Sequence, residues 1–231
     1  MKNILCYGDS NTWGSIPVTF ERYDWSIRWP GVMQKILGDG YHVIENGLGG
    51  RTTVFEDPFS EGRSGKAGLP PVLEAAAPID LFIIMLGTND CKKILNAGAD
   101  QIAIGMEQLV QLVQDSSCGD PEILIASPVH IGSGWPPHAL GLIFNDSSTK
   151  VSKELAPLFQ WVAASNGCHF IDAALYARAA DDNVHLDAIG HQALGRAFAG
   201  KVMEILNPGS SPLPKHGGIF KWRNSNGLEN S

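Results

Sequence analysis

Five short runs of apolar, β-prone residues punctuate this chain, at residues 3–7, 41–45, 81–86, 122–126 and 169–172, and longer segments with helical periodicity separate them. Near-continuous apolar character over so few residues suits strands covered on both faces, the condition of a parallel sheet. Parallel strands need crossover connections, and the intervening segments can supply them. Trp29, Val32, Met33, Ile36 and Leu37 recur at helical spacing, with Pro30 suited to a first helical position and Gly38 to a stop. Ile102, Met106, Leu109, Val110 and Val113 form one stripe within residues 100–115, and Val151, Leu155, Leu158, Phe159 and Val162 another within 149–166. Asp187 is placed to cap a last helix carrying Leu194, Ala197, Phe198, Val202, Ile205 and Leu206. The alternation predicts an α/β fold: a three-layer α/β/α sandwich around a five-stranded parallel sheet, flavodoxin-like in kind.

Residues 15–28, 53–78 and 128–148 read as long connections, and long loops in small domains tend to carry function. The third holds Trp135-Pro136-Pro137-His138 and Leu142-Ile143-Phe144, which suit a wall of a pocket or a subunit contact as well as plain packing. After Leu206 the composition shifts to Pro, Gly, Ser and Asn. Residues 1–206 are therefore expected to form one domain and 207–231 a flexible or artificially appended tail.

At 231 residues and 44% hydrophobic content the chain can bury a sizeable core. A formal charge of −7 argues against nucleic-acid or anionic-membrane partners, which call for clustered Lys and Arg, and in favour of small neutral ones. No run approaches the ~20 apolar residues of a membrane span. Met1-Lys2-Asn3 enters a strand at once, without space for a signal segment. Cys6, Cys91, Cys118 and Cys168 are scattered, with no Cys-x-x-Cys pair, as expected of reduced thiols in the cytoplasm.

Chemistry enters with Gly8-Asp9-Ser10, directly after Ile4-Leu5-Cys6-Tyr7. This puts a hydroxyl at the carboxyl end of the first strand, where open α/β sheets build their sites. Gly47-Leu48-Gly49-Gly50, Gly87-Thr88-Asn89-Asp90 and Asp182-Asn183-Val184-His185 follow in that order. A serine needs a base to become a nucleophile, and His185 is the candidate, with Asp182 three residues upstream to orient its ring. His191, inside the last helix, is better read as a packing or solvent-facing histidine. Asp187 is better explained as a cap, and Asp181 lies one residue further from the base. His42, His130, His138 and His169 have no comparable acid and no metal-ligand spacing. An oxyanion needs donors already aimed at it; the Ser10 N–H, an N–H within 47–50 and the Asn89 amide follow successive strands. Gly62-Arg63-Ser64-Gly65-Lys66-Ala67 imitates a phosphate loop but lacks its first glycine and its terminal hydroxyl. No Gly-x-Ser-x-Gly elbow is present.

With these blocks the chain, to about Leu206, resembles the SGNH hydrolases, also called GDSL-type esterases and lipases. Gly8-Asp9-Ser10-Asn11-Thr12-Trp13-Gly14 corresponds to the first block, with Asn11 in place of leucine, a variation expected to touch no chemical role. The resemblance implies Ser10, Asp182 and His185 as catalytic residues and Ser10, Gly50 and Asn89 as the oxyanion hole, Gly49 and Gly47 remaining open as alternatives to Gly50. Arg28-Trp29-Pro30-Gly31-Val32, the Gly-Leu-x-x-Arg-Thr-Thr segment and Ile84-Met85-Leu86-Gly87-Thr88-Asn89-Asp90 look like the bacterial arylesterases that also act as acyltransferases and perhydrolases. This implies short acyl chains, aryl or alkyl alcohols, no cofactor or metal, and a homo-oligomer whose subunits narrow the entrance. A carbohydrate O-deacetylase, such as an acetylxylan esterase, is the alternative, with Trp13, Trp25 or Trp135 as a sugar platform.

Overall fold

The structure, a computed structural model, describes residues 1–135 and 139–209. Its centre is an all-parallel sheet of β1 (Lys2–Gly8), β2 (Tyr41–Gly47), β3 (Leu81–Met85), β4 (Glu122–Ser127) and β5 (His169–Asp172), in the order β2-β1-β3-β4-β5. This is the flavodoxin-like order, in which the chain reverses direction across the sheet beside β1. The expected strands are all present. β3 stops one residue short of the expected end, because Gly87 takes φ +120° and turns the chain out of the ladder just beyond Leu86.

One face of the sheet is covered by α3 (Gly65–Ala76), α4 (Ala99–Gln114) and α6 (Asp146–Ser165), which bury Leu73, Met106, Leu109, Leu155 and Phe159 against Phe82, Ile84 and Ile125. The other carries α2 (Trp29–Leu37) and α7 (Ala188–Leu206), where Trp29 stacks on Phe198 with ring centroids 4.4 Å apart. Asp187 caps α7 as expected, accepting from the Gly190 N–H at 2.7 Å. The apolar stripes read in the sequence are the buried faces of α2, α4, α6 and α7.

The 53–78 stretch is not a plain connection, since it contains α3. Pro70 and Pro71 inside it remove backbone donors and hide the helix from a sequence reading. Leu69 and Leu73, one turn apart and buried, hold it against the sheet, and the Ser64 hydroxyl accepts from the Ala67 N–H at its start. Thus the segment that imitates a phosphate loop is a capped helix start. The 128–148 stretch likewise includes a short helix, α5 (Ala139–Ile143). Residues 15–28 are irregular apart from a bridge between Ser15 and Arg22. Pro136, Pro137 and His138, and the expected tail from residue 210 onward, lie outside the described residues.

Register sets the site. Gly8 pairs with Gly47 on one side and Met85 on the other, so β1, β2 and β3 end at one level. Chain leaving these three ends brings Ser10, the 47–50 turn and Asn89 to one edge. Among the described residues no helix is long and apolar enough to cross a membrane.

Candidate active site

Ser10 opens α1 (Ser10–Trp13), a single helical turn springing straight from the end of β1. Asp9 caps that turn by accepting from the Asn11 N–H at 2.9 Å. As a first helical residue Ser10 has no intrahelical acceptor for its N–H. The Ser10 Oγ lies 3.0 Å from His185 Nε2, although 175 residues separate them.

On the other side of the ring, His185 Nδ1 is 2.6 Å from Asp182 Oδ2. Asp182 Oδ1 accepts from the Val184 and His185 N–H groups at 3.0 and 2.8 Å, so the same three-residue turn locks the carboxylate and the backbone of its partner. The Val18 N–H adds a longer contact to Oδ2 at 3.3 Å. Burial pushes the Asp182 carboxyl up, but the hydrogen bond and charge of His185, with the two backbone donors, outweigh it and hold the group down at about 2. A carboxylate ionised in this position keeps the proton on Nδ1 and leaves Nε2 to accept from the serine hydroxyl. Phe20 packs edge-on over the imidazole, with ring centroids 5.7 Å apart.

Asn89 turns its amide toward the same space, donating one hydrogen to the Arg51 carbonyl at 3.1 Å and leaving the other available. The three glycine alternatives separate. A Cβ on Gly47 would come within 2.1 Å of the Trp13 backbone N, so this glycine serves the close approach of the β2 end to α1. Gly49 and Gly50 line the pocket, and Gly50 holds φ +81°, a conformation that favours glycine. The pocket itself, about 490 Å³, is walled by Trp13, Phe20, Leu140, Ile143 and Phe144. A larger crevice of about 710 Å³ between α6 and α7 contains neither Ser10 nor His185, so volume alone does not mark the site.

The competing candidates fall elsewhere. Asp181 is exposed and Asp187 caps α7. His191 is fully buried, its Nδ1 accepting from the Trp29 N–H at 3.3 Å. Of the three tryptophans considered as a sugar platform, only Trp13 lines the pocket, with the Arg22 guanidinium 5.0 Å from its ring centroid; Trp135 stacks on Phe144 and Trp25 lies outside.

Three contributions escaped the sequence reading. Asn11, expected to touch no chemical role, is a structural clamp: its Nδ2 donates to the Val184 carbonyl at 3.1 Å and its Oδ1 accepts from the Leu186 N–H at 3.0 Å, gripping the chain on both sides of His185. A polar residue beside the serine, where the family block has leucine, was the available signal. Arg51 donates from Nη1 to the carbonyls of Gly8 and Asn46 at 2.7 and 2.6 Å, tying the ends of β1 and β2 together beneath the Tyr7 ring. Lys92 and Asp57 form a buried ion pair of 2.6 Å at the pocket wall, and nothing in their spacing announces it.

A sheet of this order, with a hydroxyl, an imidazole, a carboxylate and an amide gathered at its carboxyl edge, defines the class of α/β proteins equipped for acyl transfer. The profile of the GDSL-like lipase/acylhydrolase family matches residues 6–193, and the chain belongs to that family. A carbohydrate acetylesterase family member from Sinorhizobium meliloti is 40% identical, with a TM-score of 0.85, covering 89% of this chain and 99% of its own. The aryl esterase of M. smegmatis is 34% identical, with a TM-score of 0.84 and coverage of 89% and 100%. An acetylxylan esterase of Xylanibacter ruminicola is 25% identical over 86% of this chain, which spans only 42% of that relative's length.

Proposed function

We propose that this chain is a serine esterase that hydrolyses short-chain carboxylic esters through an acyl-enzyme on Ser10. The observation that carries the reading is the continuous chain from Ser10 Oγ through the His185 ring to Asp182. In the first step His185 Nε2 takes the hydroxyl proton as Oγ attacks the ester carbonyl. The negative charge formed on oxygen is met by the N–H groups of Ser10 and Gly50 and by the Asn89 amide, groups fixed before the reaction begins. His185 then gives its proton to the departing alcohol. Water enters, loses a proton to the same nitrogen as it attacks the acyl carbonyl, and the acid leaves as His185 returns that proton to Ser10 Oγ. Asp182 stays ionised throughout and steadies the imidazolium.

The modest pocket with Phe20, Ile143 and Phe144 in its walls supports small acyl groups and aryl or alkyl alcohols. Transfer to alcohols or peroxide is a second outcome of the same acyl-enzyme where an apolar wall keeps water scarce, and product ratios in aqueous alcohol test it. Deacetylation of carbohydrate is the alternative, favoured by the acetylesterase relatives and by Trp13 at the pocket edge. The homo-oligomer is supported by exposed Phe59, Ile94 and Leu142 around an apolar cleft of about 550 Å³ that shares Ile143 with the site; sedimentation velocity checks it. Free cysteines at all four positions support a cytoplasmic setting, and the end of α7 at Leu206 supports a domain boundary there; cell fractionation tests the first.

Release of nitrophenol from acetyl, butyryl and octanoyl esters tests the central reading. Wild-type activity should fall with chain length and vanish in Ser10→Ala; turnover surviving in that variant overturns the assignment.

A further inference from the structure

Two cations, Arg63 and Lys92, stand in the wall of the Ser10 pocket, and among the described residues only Lys92 forms an ion pair, with Asp57, whose carboxylate also feels the Arg63 charge. Lys92 Nζ donates to Asp57 Oδ2 at 2.6 Å, both side chains being nine-tenths or more buried. Arg63, half-buried, forms no ion pair among the described residues; its Nη1 donates to the main-chain carbonyl of Glu61 at 3.0 Å. None of the described pocket-lining residues is an Asp or a Glu, in a chain whose formal charge is −7. The neighbouring carboxylates, Asp57 and Asp182, are engaged by Lys92 and His185 respectively.

The position of Arg63 is as telling as its charge. A Cβ built on Gly50 would lie 3.3 Å from Arg63 Cδ and 3.4 Å from its Nε, so the guanidinium stem runs alongside the turn proposed to hold the oxyanion. A guanidinium presents a planar fork of donors that matches a carboxylate, and a partly enclosed wall weakens the screening that water supplies at an open surface. The backbone of Arg63 is fixed independently of its side chain, since its carbonyl accepts from the Thr52 N–H at 2.9 Å. The head group is therefore carried on a held frame in the pocket wall beside the Gly50 turn, and among the described residues it forms no ion pair of its own, the carboxylate its charge reaches being Asp57, which Lys92 already holds.

We propose that Arg63 is a specificity-determining residue that binds a carboxylate on the substrate, so that the esters favoured by this pocket are anionic, with the charge within a few bonds of the scissile carbonyl. The inference rests on the esterase reading above and narrows it. The carboxylate has two possible sources, the acyl part, as in a half-ester of a dicarboxylic acid, or the alcohol part, as in an acetylated hydroxy acid or acidic sugar.

Two near-isosteric pairs separate these sources: nitrophenyl hemisuccinate against nitrophenyl butyrate, and para-acetoxybenzoate against para-acetoxybenzamide. For each pair the ratio of kcat/KM, anionic over neutral, is measured in the wild type, Arg63→Gln and Arg63→Lys. Comparing the ratio between proteins removes differences in intrinsic reactivity. In at least one pair the ratio should drop by about tenfold in Arg63→Gln, the scale of one charge-assisted contact, and recover in large part in Arg63→Lys. The wild-type ratio in that pair should also shrink between low and high salt. Equal ratios in wild type and Arg63→Gln for both pairs overturn the proposal while leaving the esterase intact. Should Arg63→Gln fail to fold, the salt series on the wild type decides, and a ratio indifferent to salt in both pairs overturns it. A wild type inert toward all four esters brings down the esterase reading and this inference with it.

Discussion

His185 and His191 are six positions apart, both buried, and the two regions that hold them do opposite things. His185 sits in a turn where both ring nitrogens have polar partners: Asp182 on one, Ser10 on the other, with Asn11 gripping the chain on both sides. His191 sits in the first turns of α7 against α2, edge-on to Tyr23 at 5.3 Å, with Nδ1 accepting the Trp29 N–H and Nε2 buried without a hydrogen-bond partner among the described residues. Burial pushes its pKa down to about 4, so the ring is a neutral packing piece that also closes the open amino end of α2, where Arg28 makes no side-chain cap. Enclosure alone does not make a base. A carboxylate on one nitrogen and an exchangeable proton on the other do, and only the 182–185 turn supplies both.

The sharpest way to break this contrast is to remove each ring in turn. His185→Ala should lower kcat by roughly ten-thousandfold or more with little change in unfolding midpoint. His191→Gln should keep kcat within about threefold of wild type and lower stability instead, by about 1–3 kcal/mol, through the disturbed contact to the Trp29 N–H and altered packing. Ester turnover and urea unfolding on both variants read the two effects, and a His191 variant that loses turnover at unchanged stability contradicts the division of roles.

Acid stability separates the regions next. The folded chain refuses a proton on His191 until about pH 4, whereas the unfolded chain takes one up near 6.5, so stability is lost as pH falls through that window. The shift corresponds to about 3 kcal/mol. Asp90 works in the opposite sense. Fully buried and raised to about 6 by desolvation, despite hydrogen bonds from Thr53, it keeps a proton that the unfolded chain gives up above 3.8, and its contribution is lost as pH rises. The His191 share is therefore read as the difference between wild type and His191→Gln in urea unfolding at pH 7 and pH 4, where the variant should be spared most of that loss.

The mildest test is Asn11→Ala. It leaves the Val184 carbonyl and Leu186 N–H without their partner and frees the chain around His185. A fall in kcat of about tenfold with KM nearly unchanged is expected, beside a stability cost of about 1–3 kcal/mol. Unchanged kcat would reduce Asn11 to a structural hydrogen bond.

Much of the molecule was legible before any coordinates. The central strands β1, β3 and β4 could be read because a covered parallel strand is apolar on both faces, and α2, α4, α6 and α7 because their buried faces repeat at helical spacing. α3 was missed because Pro70 and Pro71 outweighed the single pair Leu69 and Leu73, whose weight depends on the sheet they bury against. The 182–185 pairing was readable because a carboxylate and an imidazole three residues apart can meet within one turn. The Asn11 clamp, the Phe20 ring over His185 and the Lys92–Asp57 pair were not, since each joins segments whose meeting depends on loop paths.

What the chain order settled by itself is therefore local: the period of each element, the caps, and the appearance of each polar block just after a strand, all of which depend on neighbours within a few residues. Only the tertiary structure decided which of those blocks touch. Strand order, the pairing of Gly8 with both Gly47 and Met85, and the path of residues 15–28 bring a hydroxyl within 3.0 Å of an imidazole 175 residues away and, among the described residues, leave Arg63 in the same pocket wall without an ion pair. Such distances are set by the packing of a whole core, a collective property that no short window of sequence contains.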